Sequence, residues 1–229
     1  MQKEIISSMK NSAYIAFYDL DHTILTGNSA TALVEESRKR GVMSPAQYRH
    51  AVWLALLYKM SLGDPVKMIT RMLSWLKGLK ESDIKLLCEE IYQTIIQKTI
   101  RPEILESFEM HRSSGAAVVL LSSATEPICE VVVRHLVLDA MICTHLEISN
   151  GAFTGHTRGK LVYGVEKKHR MLNFCAENAC EPGKAWYYGD SHTDRHVMEA
   201  VGNPVAVSPD KGLKKIAIRQ KWPILVDDR

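Results

Sequence analysis

An apolar stretch, Tyr14-Ile15-Ala16-Phe17-Tyr18, runs directly into two carboxylates one residue apart, Asp19 and Asp21. Such a run reads as a strand buried on both faces, the kind found in parallel sheets. Side chains alternate along a strand, so Asp19 and Asp21 are expected on the same side where the strand ends. Two acids that close repel one another unless a cation or a shared proton stands between them. Fold and chemistry are therefore constrained together: a buried strand must deliver its carboxylates to a place that uses negative charge.

Downstream the apolar spacing becomes helical. Helices are expected over Ser29 to Arg40, from Ser44-Pro45 to about Ser61, from Asp64-Pro65 to about Lys77, over Glu81 to Thr99, and from Pro102 to about Arg112. Stops are supplied by Gly41, Gly63 and Gly78, and starts by Ser and Asp residues placed before proline. The pattern then changes. Ala116 to Leu121 is a continuous apolar run, followed by a helix over Glu126 to Leu136 and a short strand over Ala140 to Cys143. Asn150-Gly151 within His145 to Arg158 suggests a hairpin. Helical and strand segments then alternate: Gly164 to Asn178, Ala185 to Tyr188, His192 to Ala200, Pro204 to Val207, Gly212 to Gln220 and Ile224 to Val226.

Strands alternating with helices imply an α/β fold, a doubly wound parallel sheet of the Rossmann-like kind. A helical cap is expected as an insert after the first strand. The expected division is a catalytic core of residues 1–27 and 99–229 and a helical cap of residues 28–98. In open parallel sheets the ligand crevice lies at the carboxyl ends of the strands, where the acidic pair is placed.

Bulk composition narrows the function classes. The 29 basic and 26 acidic side chains leave a net charge of +3, with no basic run, so no nucleic-acid partner is expected. Five cysteines without a C-x-x-C pair suit a reducing compartment and core packing. The segment Met1 to Ser12 lacks the apolar centre of a signal peptide. The most apolar helix candidate, Ala51 to Tyr58, is far short of the roughly 20 residues that span a bilayer, so no membrane insertion and a cytoplasmic location are expected.

Four segments converge by the logic of the parallel sheet: Asp19-x-Asp21-x-Thr23, Ser122-Ser123 after the second strand, Lys167 at the start of a helix, and Gly189-Asp190-Ser191-His192-Thr193-Asp194 after a later strand. Carboxylates with one lysine and a hydroxyl suit a hard, oxygen-loving cation, Mg²⁺. Such a site would accept a phosphoryl group, and a carboxylate can attack phosphorus to form an aspartyl phosphate. A second acid two residues on can serve as acid and then as base.

These segments resemble the four ordered motifs of the haloacid dehalogenase superfamily, and the helical insert resembles its branch containing phosphoserine phosphatase. The resemblance implies Asp19 as nucleophile and Mg²⁺ ligand, and Asp21 as general acid/base whose carbonyl binds the metal. Thr23 would orient Asp21. Ser122, with the N–H of Ser123, would hold phosphoryl oxygens, and Lys167 would hold nucleophile and phosphate. Asp190 would be a metal ligand, and Asp194 would act on the metal site through water or Lys167. The expected activity is a phosphomonoester hydrolase acting on a small phosphorylated metabolite. A phosphotransferase sharing the intermediate and a phosphorylatable Asp switch are the alternatives. Phosphoserine phosphatases of this branch tend to place a glutamate for the substrate amino group where this chain has Asn28, which weakens the case for phosphoserine.

Other residues are read as structural. His22 is expected to face away from the nucleophile. His192 and His196, four apart, have a zinc-compatible spacing but lack further soft ligands. Trp53, Leu56, Leu57 and Tyr58 are expected to form core within the cap, with a greasy substrate wall as the other option.

Overall fold

The computed structural model describes residues 12–60 and 63–226, and the side chain of Lys59 is not among them. Readings that fall on residues 1–11 and on Ser61 lie outside this range.

Six parallel strands form one sheet. They are β1 (Ile15–Tyr18), β2 (Ala117–Thr125), β3 (Ala140–Thr144), β6 (Trp186–Gly189), β7 (Asn203–Val207) and β8 (Ile224–Val226), in the spatial order β3-β2-β1-β6-β7-β8. β1 is central and pairs β2 on one side and β6 on the other, with Tyr18 opposite Leu120 and Tyr188. The order reverses direction at β1, which is where a doubly wound sheet opens its crevice. A separate antiparallel hairpin joins β4 (Leu146–Ser149) to β5 (Ala152–Thr157).

Helices cover both faces of the sheet, as continuous apolar strands require. On one face Ile15 and Phe17 pack with residues of α7 (Val165–Glu177), α8 (Arg195–Met198) and α9 (Lys211–Gln220). On the other, Ala16 and Tyr18 join α5 (Pro102–Ser113) and α6 (Glu126–His135). Tyr18 stacks on Tyr188 at 4.3 Å and meets Phe108 edge-on at 4.6 Å. Its hydroxyl bonds to Ser107 Oγ at 2.8 Å, while buried His111 bridges the Tyr14 and Tyr188 hydroxyls at 2.9 Å each. Burial holds His111 near a pKa of about 4, so its ring is neutral at pH 7 and these bonds need no counter-ion.

Between β1 and α5 lies the helical block: α1 (Ser29–Lys39), α2 (Pro45–Lys59), α3 (Pro65–Met72) and α4 (Glu81–Thr94). Asn28, Ser44 and Asp64 cap the first three by accepting backbone N–H groups. The block leaves and re-enters the core through paired segments, with Thr26 N donating to Thr99 O and Arg101 N to Ile24 O. One hydrophobic cluster runs without a break from Leu87, Cys88 and Ile91 of α4 to Ile128 and Val132 of α6 and on to β1. Ion pairs from Glu89 to Arg134 and His135, and from Lys85 to Glu130, flank that contact.

Several element ends differ from expectation. α3 stops at Met72 and continues as a 3₁₀ turn, Leu73–Leu76, and α4 stops at Thr94 where Ile95 departs from helical angles. His192–Asp194 is a 3₁₀ turn before the short α8, because a capping box built by Ser191 and Asp194 tightens the chain there. β2 runs past Leu121 to Thr125, but its ladder breaks: between the pairs Leu121–Ile142 and Thr125–Thr144, three residues of β2 stand opposite one of β3. The bulge lifts Ser122 and Ser123 out of regular pairing.

Candidate active site

Asp19 follows β1 in extended conformation, and the chain then winds into a tight turn, Leu20–Ile24. Within it Asp21 remains extended and His22 takes a φ of 61°. The same-side placement of the two acids is thus reached by a different route from strand alternation. The strand ends at Tyr18, and the turn returns Asp21 close enough for its charge to raise the pKa of Asp19. Buried Leu20, Thr23 and Ile24 anchor the turn. His22 Nδ1 lies 3.3 Å from the Thr26 carbonyl and is bonded to neither acid.

Three further groups arrive from distant segments. Lys167 Nζ sits 3.0 Å from Asp19 Oδ1 and 2.8 Å from Asp194 Oδ1. Carboxylate oxygens of Asp19, Asp190 and Asp194 lie within 4.8 Å of one another, and all three residues are buried. Lys167 is 3% exposed whereas Lys168 is half-buried, which separates the two adjacent lysines. Burial alone would lower the Lys167 pKa, but Asp19 and Asp194 outweigh it and hold the ammonium above the ordinary lysine range. Burial pushes Asp190 up to about 9, with Asp19 and Asp194 adding repulsion. Asp19 is pushed to about 6, again chiefly by burial, with Lys167 opposing and Asp194 and Asp21 adding.

The charge balance tests the fit of a cation. With all three buried carboxylates ionised, one ammonium leaves an excess of negative charge that a dication would cancel. The donors are all oxygens, which suits Mg²⁺ rather than a softer metal. Asp21 is not part of this group by its carboxylate. His192, whose spacing from His196 admitted zinc, instead places Nδ1 3.0 Å from Asp210 Oδ2.

Thr23 requires a correction. Its hydroxyl donates to Asp190 Oδ1 at 3.4 Å and not to Asp21. Asp21 is positioned by two residues the motif reading missed in that role: Ser29 N donates to Oδ1 at 2.7 Å and Asn28 Nδ2 to Oδ2 at 3.1 Å. Asn28 Oδ1 meanwhile accepts Thr31 N at 2.9 Å, so both ends of its amide are engaged. An N-cap residue directly after an acidic turn was the available signal. Burial raises the Asp21 pKa, and the Ser29 amide partly offsets it.

The remaining predicted groups divide. Ser122 is buried, with Oγ accepting Ala124 N at 3.3 Å, and Ser123 uses its carbonyl to accept Thr144 Oγ1 at 2.9 Å. Gly189 admits the close packing behind the acids: a Cβ there would lie 2.6 Å from the Tyr187 ring and 2.9 Å from Asp194 Oδ2. Asp210, outside the four motif segments, ties down the loop by accepting His192 N at 2.9 Å and Ser191 Oγ at 3.2 Å.

Tyr58 overturns part of the expected packing. Its hydroxyl lies 3.1 Å from that of Tyr163, across from the helical block to the sheet domain. Burial raises its pKa first, but Asp194 and Asp190 also contribute, so the ring stands within reach of their charge. Trp53 and Leu56 are 54% and 53% exposed and form no core, while Ala51 and Leu54 on the opposite side of α2 are buried. A cavity of about 590 Å³ between α4 and α6, lined by Ser82, Leu86, Pro127 and Arg134 among others, contains none of the clustered acids.

Comparison with known proteins agrees with this geometry. The model of the haloacid dehalogenase-like hydrolase family matches residues 16–199. Phosphoserine phosphatase SerB1 of Mycobacterium tuberculosis is 27% identical over 91% of this chain and 69% of its own length. Histidinol-phosphatase of Neisseria meningitidis is 27% identical over 95% of this chain and 99% of its own. A crystal structure of a protein of unknown function from Bordetella pertussis shares the fold, with a TM-score of 0.84 at 23% identity, over 93% of this chain and 98% of that one. With the acids, the lysine and the strand ends arranged as described, the chain belongs to the haloacid dehalogenase-like hydrolase family.

Proposed function

We propose that this hydrolase is a Mg²⁺-dependent phosphatase of small phosphorylated metabolites, working through an aspartyl phosphate on Asp19. The observation that carries the reading is Lys167 standing between Asp19 and Asp194 inside a cluster of three buried carboxylates at the strand ends. Phosphoric monoester hydrolysis is the activity of its named relatives, although their substrates differ.

Asp19 attacks phosphorus with one carboxylate oxygen. A bond forms between that oxygen and phosphorus as the ester bond breaks, and Asp21 gives its proton to the departing alcohol. The raised pKa of Asp21 favours a protonated carboxyl ready to donate. Water then attacks the phosphorus of the acyl phosphate, Asp21 takes its proton, and phosphate leaves Asp19. Lys167 keeps Asp19 oriented and balances charge on the phosphoryl oxygens, with Asp194 fixing the ammonium. Ser122 and the Ser123 amide lie on the bulge beside the nucleophile's strand and are assigned to the phosphoryl oxygens. Asp19, Asp190 and the Asp21 carbonyl would hold Mg²⁺, with Asp194 joined to them through Lys167. When bound, the ion supplies positive charge to the transferring group.

Residues 28–98 act in this reading as a cap, and residues 1–27 and 99–229 as the catalytic core. Tyr58 and Tyr163 join the two above the acids. Asn28, a neutral amide engaged at both ends, offers no negative charge to a substrate amino group, which argues against phosphoserine as the substrate.

The test is Asp19→Asn assayed on an aryl phosphate with Mg²⁺ and with chelator. Removing a nucleophile lowers kcat by roughly 10³-fold or more, and chelator silences the unaltered enzyme. Activity that survives the substitution refutes the nucleophile assignment.

A further inference from the structure

α2 carries two apolar stripes, and only one is used. Ala51, Leu54 and Tyr58, spaced three and four, face inward: Leu54 is 1% exposed and Tyr58 reaches Tyr163. On the opposite side Arg49, Trp53, Leu56 and Met60 follow the same spacing and are all exposed, Met60 at 58%. Val52 beside them is 49% exposed, and the Trp53 ring stacks on exposed His50 at 6.0 Å. Because Tyr58 marks the side nearest the acids, the second stripe points away from the reaction centre and cannot line the substrate.

The charge around this stripe is one-sided. From Gly41 to Lys80 the chain holds six basic residues, Arg49, Lys59, Lys67, Arg71, Lys77 and Lys80, against one acid, Asp64. The whole protein, by contrast, has 29 basic and 26 acidic side chains, so the rest of it carries an acidic excess. Among the described residues Arg49, Lys67 and Arg71 are exposed and have no carboxylate partner. Among the described residues, surface ion pairs form elsewhere, around Glu36, Glu89, Glu130 and Glu166 for example.

We propose that the outer face of α2, with basic residues of α3 beside it, docks on an anionic phospholipid surface. Trp53, Leu56 and Met60 enter the headgroup boundary while the basic residues meet lipid phosphates. An exposed helix face that sets tryptophan and large aliphatic side chains beside basic ones suits the headgroup boundary of an anionic membrane. Charge complementarity selects this occupant over a second copy of the chain, because a symmetric dimer through α2 would set two basic segments face to face. Contact of this kind lies on the membrane and does not cross it: no helix among the described residues is long and apolar enough to span a bilayer.

The experiment is vesicle flotation of the full chain with pure phosphatidylcholine and with equal parts phosphatidylcholine and phosphatidylglycerol, at low and high salt. Three exposed basic residues predict roughly 100-fold preference for the anionic vesicles, lost at high salt. Trp53→Ser with Leu56→Ser is expected to release the protein from anionic vesicles while leaving its melting temperature and its hydrolysis of a soluble aryl phosphate unchanged. Absence of binding, equal binding to both vesicle types, or binding indifferent to the double substitution overturns the proposal. So does a concentration-dependent dimer in sedimentation that the double substitution abolishes, which would assign the stripe to a second copy.

Discussion

At the mouth of the sheet, charge is buried; on the outer face of α2, apolar surface is exposed. The two regions break opposite rules of folding. At the mouth Asp19, Asp190 and Asp194 are shielded from water with a single ammonium among them, an arrangement that invites a cation and a phosphoryl group. On α2 the exposed Trp53, Leu56 and Met60 could have been polar without loss to the fold. The difference lies in what each region would lose by repair. Replacing the acids would stabilise the free chain and remove its chemistry, whereas replacing the stripe would leave both fold and chemistry standing.

Breaking the mouth should have the largest effect. Lys167→Met leaves two buried carboxylates without their counter-charge and should cost about 3–5 kcal/mol in metal-free protein, read by denaturant unfolding, together with loss of phosphatase activity. A comparable perturbation of α2 depends on the stripe chosen. Leu54→Ala, on the inward side, should cost about 2–4 kcal/mol, while Trp53→Ala, on the outward side, should stay within about 0.5 kcal/mol. Equal losses for the two would show that the outer stripe is packed in solution.

Cation binding sharpens the comparison next. Asp190 is raised to about 9, so above the ordinary carboxylate range the folded chain holds a proton that the unfolded chain has lost. Stability of the metal-free protein should therefore fall as pH rises from about 7 toward 9. Below about 6.5, buried His111 acts in the opposite sense, since the unfolded chain binds the extra proton there. Mg²⁺ at 100 times its pH 9 Kd should stabilise the protein by about 2.7 kcal/mol at pH 9, and the same concentration should stabilise it less at pH 7, where binding must first displace the Asp190 proton; calorimetry at the two pH values measures it. A smaller effect than at Lys167 or Leu54 is expected on the inward side of α2, where it meets the sheet domain. Tyr58→Phe removes the bond to Tyr163 and should cost about 0.5–1.5 kcal/mol, with a change confined to KM for a small substrate.

Much of this protein was legible because periodicity is a local property. The apolar run ending at Tyr18, the runs over Ala116 to Leu121 and Ala185 to Tyr188, and the three- and four-spacing from Ser29 to Thr99 all resolve into strands and helices close to those expected. Asp19 and Asp190 were recognisable because each stands just past such a run, while Lys167 and Asp194 were singled out by their spacing within motifs that resemble the family's. Partner choice was not legible. Thr23 turned to Asp190, and Asp21 to Asn28 and Ser29, because a tight turn replaced the extended chain after Tyr18. Which stripe of an all-round apolar helix is buried was equally hidden, since Leu54 and Leu56 are the same residue type with opposite exposure.

The order of residues alone determined a doubly wound sheet, the strand ends that carry carboxylates, and the motifs that resemble a family of hydrolases. Tertiary structure alone decided which hydroxyl meets which acid, that Tyr58 reaches across to Tyr163, and that Trp53 faces solvent. The physical reason is range. Strand and helix patterns are set by neighbours a few positions apart, while a side chain's partner and its burial are set by whatever distant segment the fold brings against it.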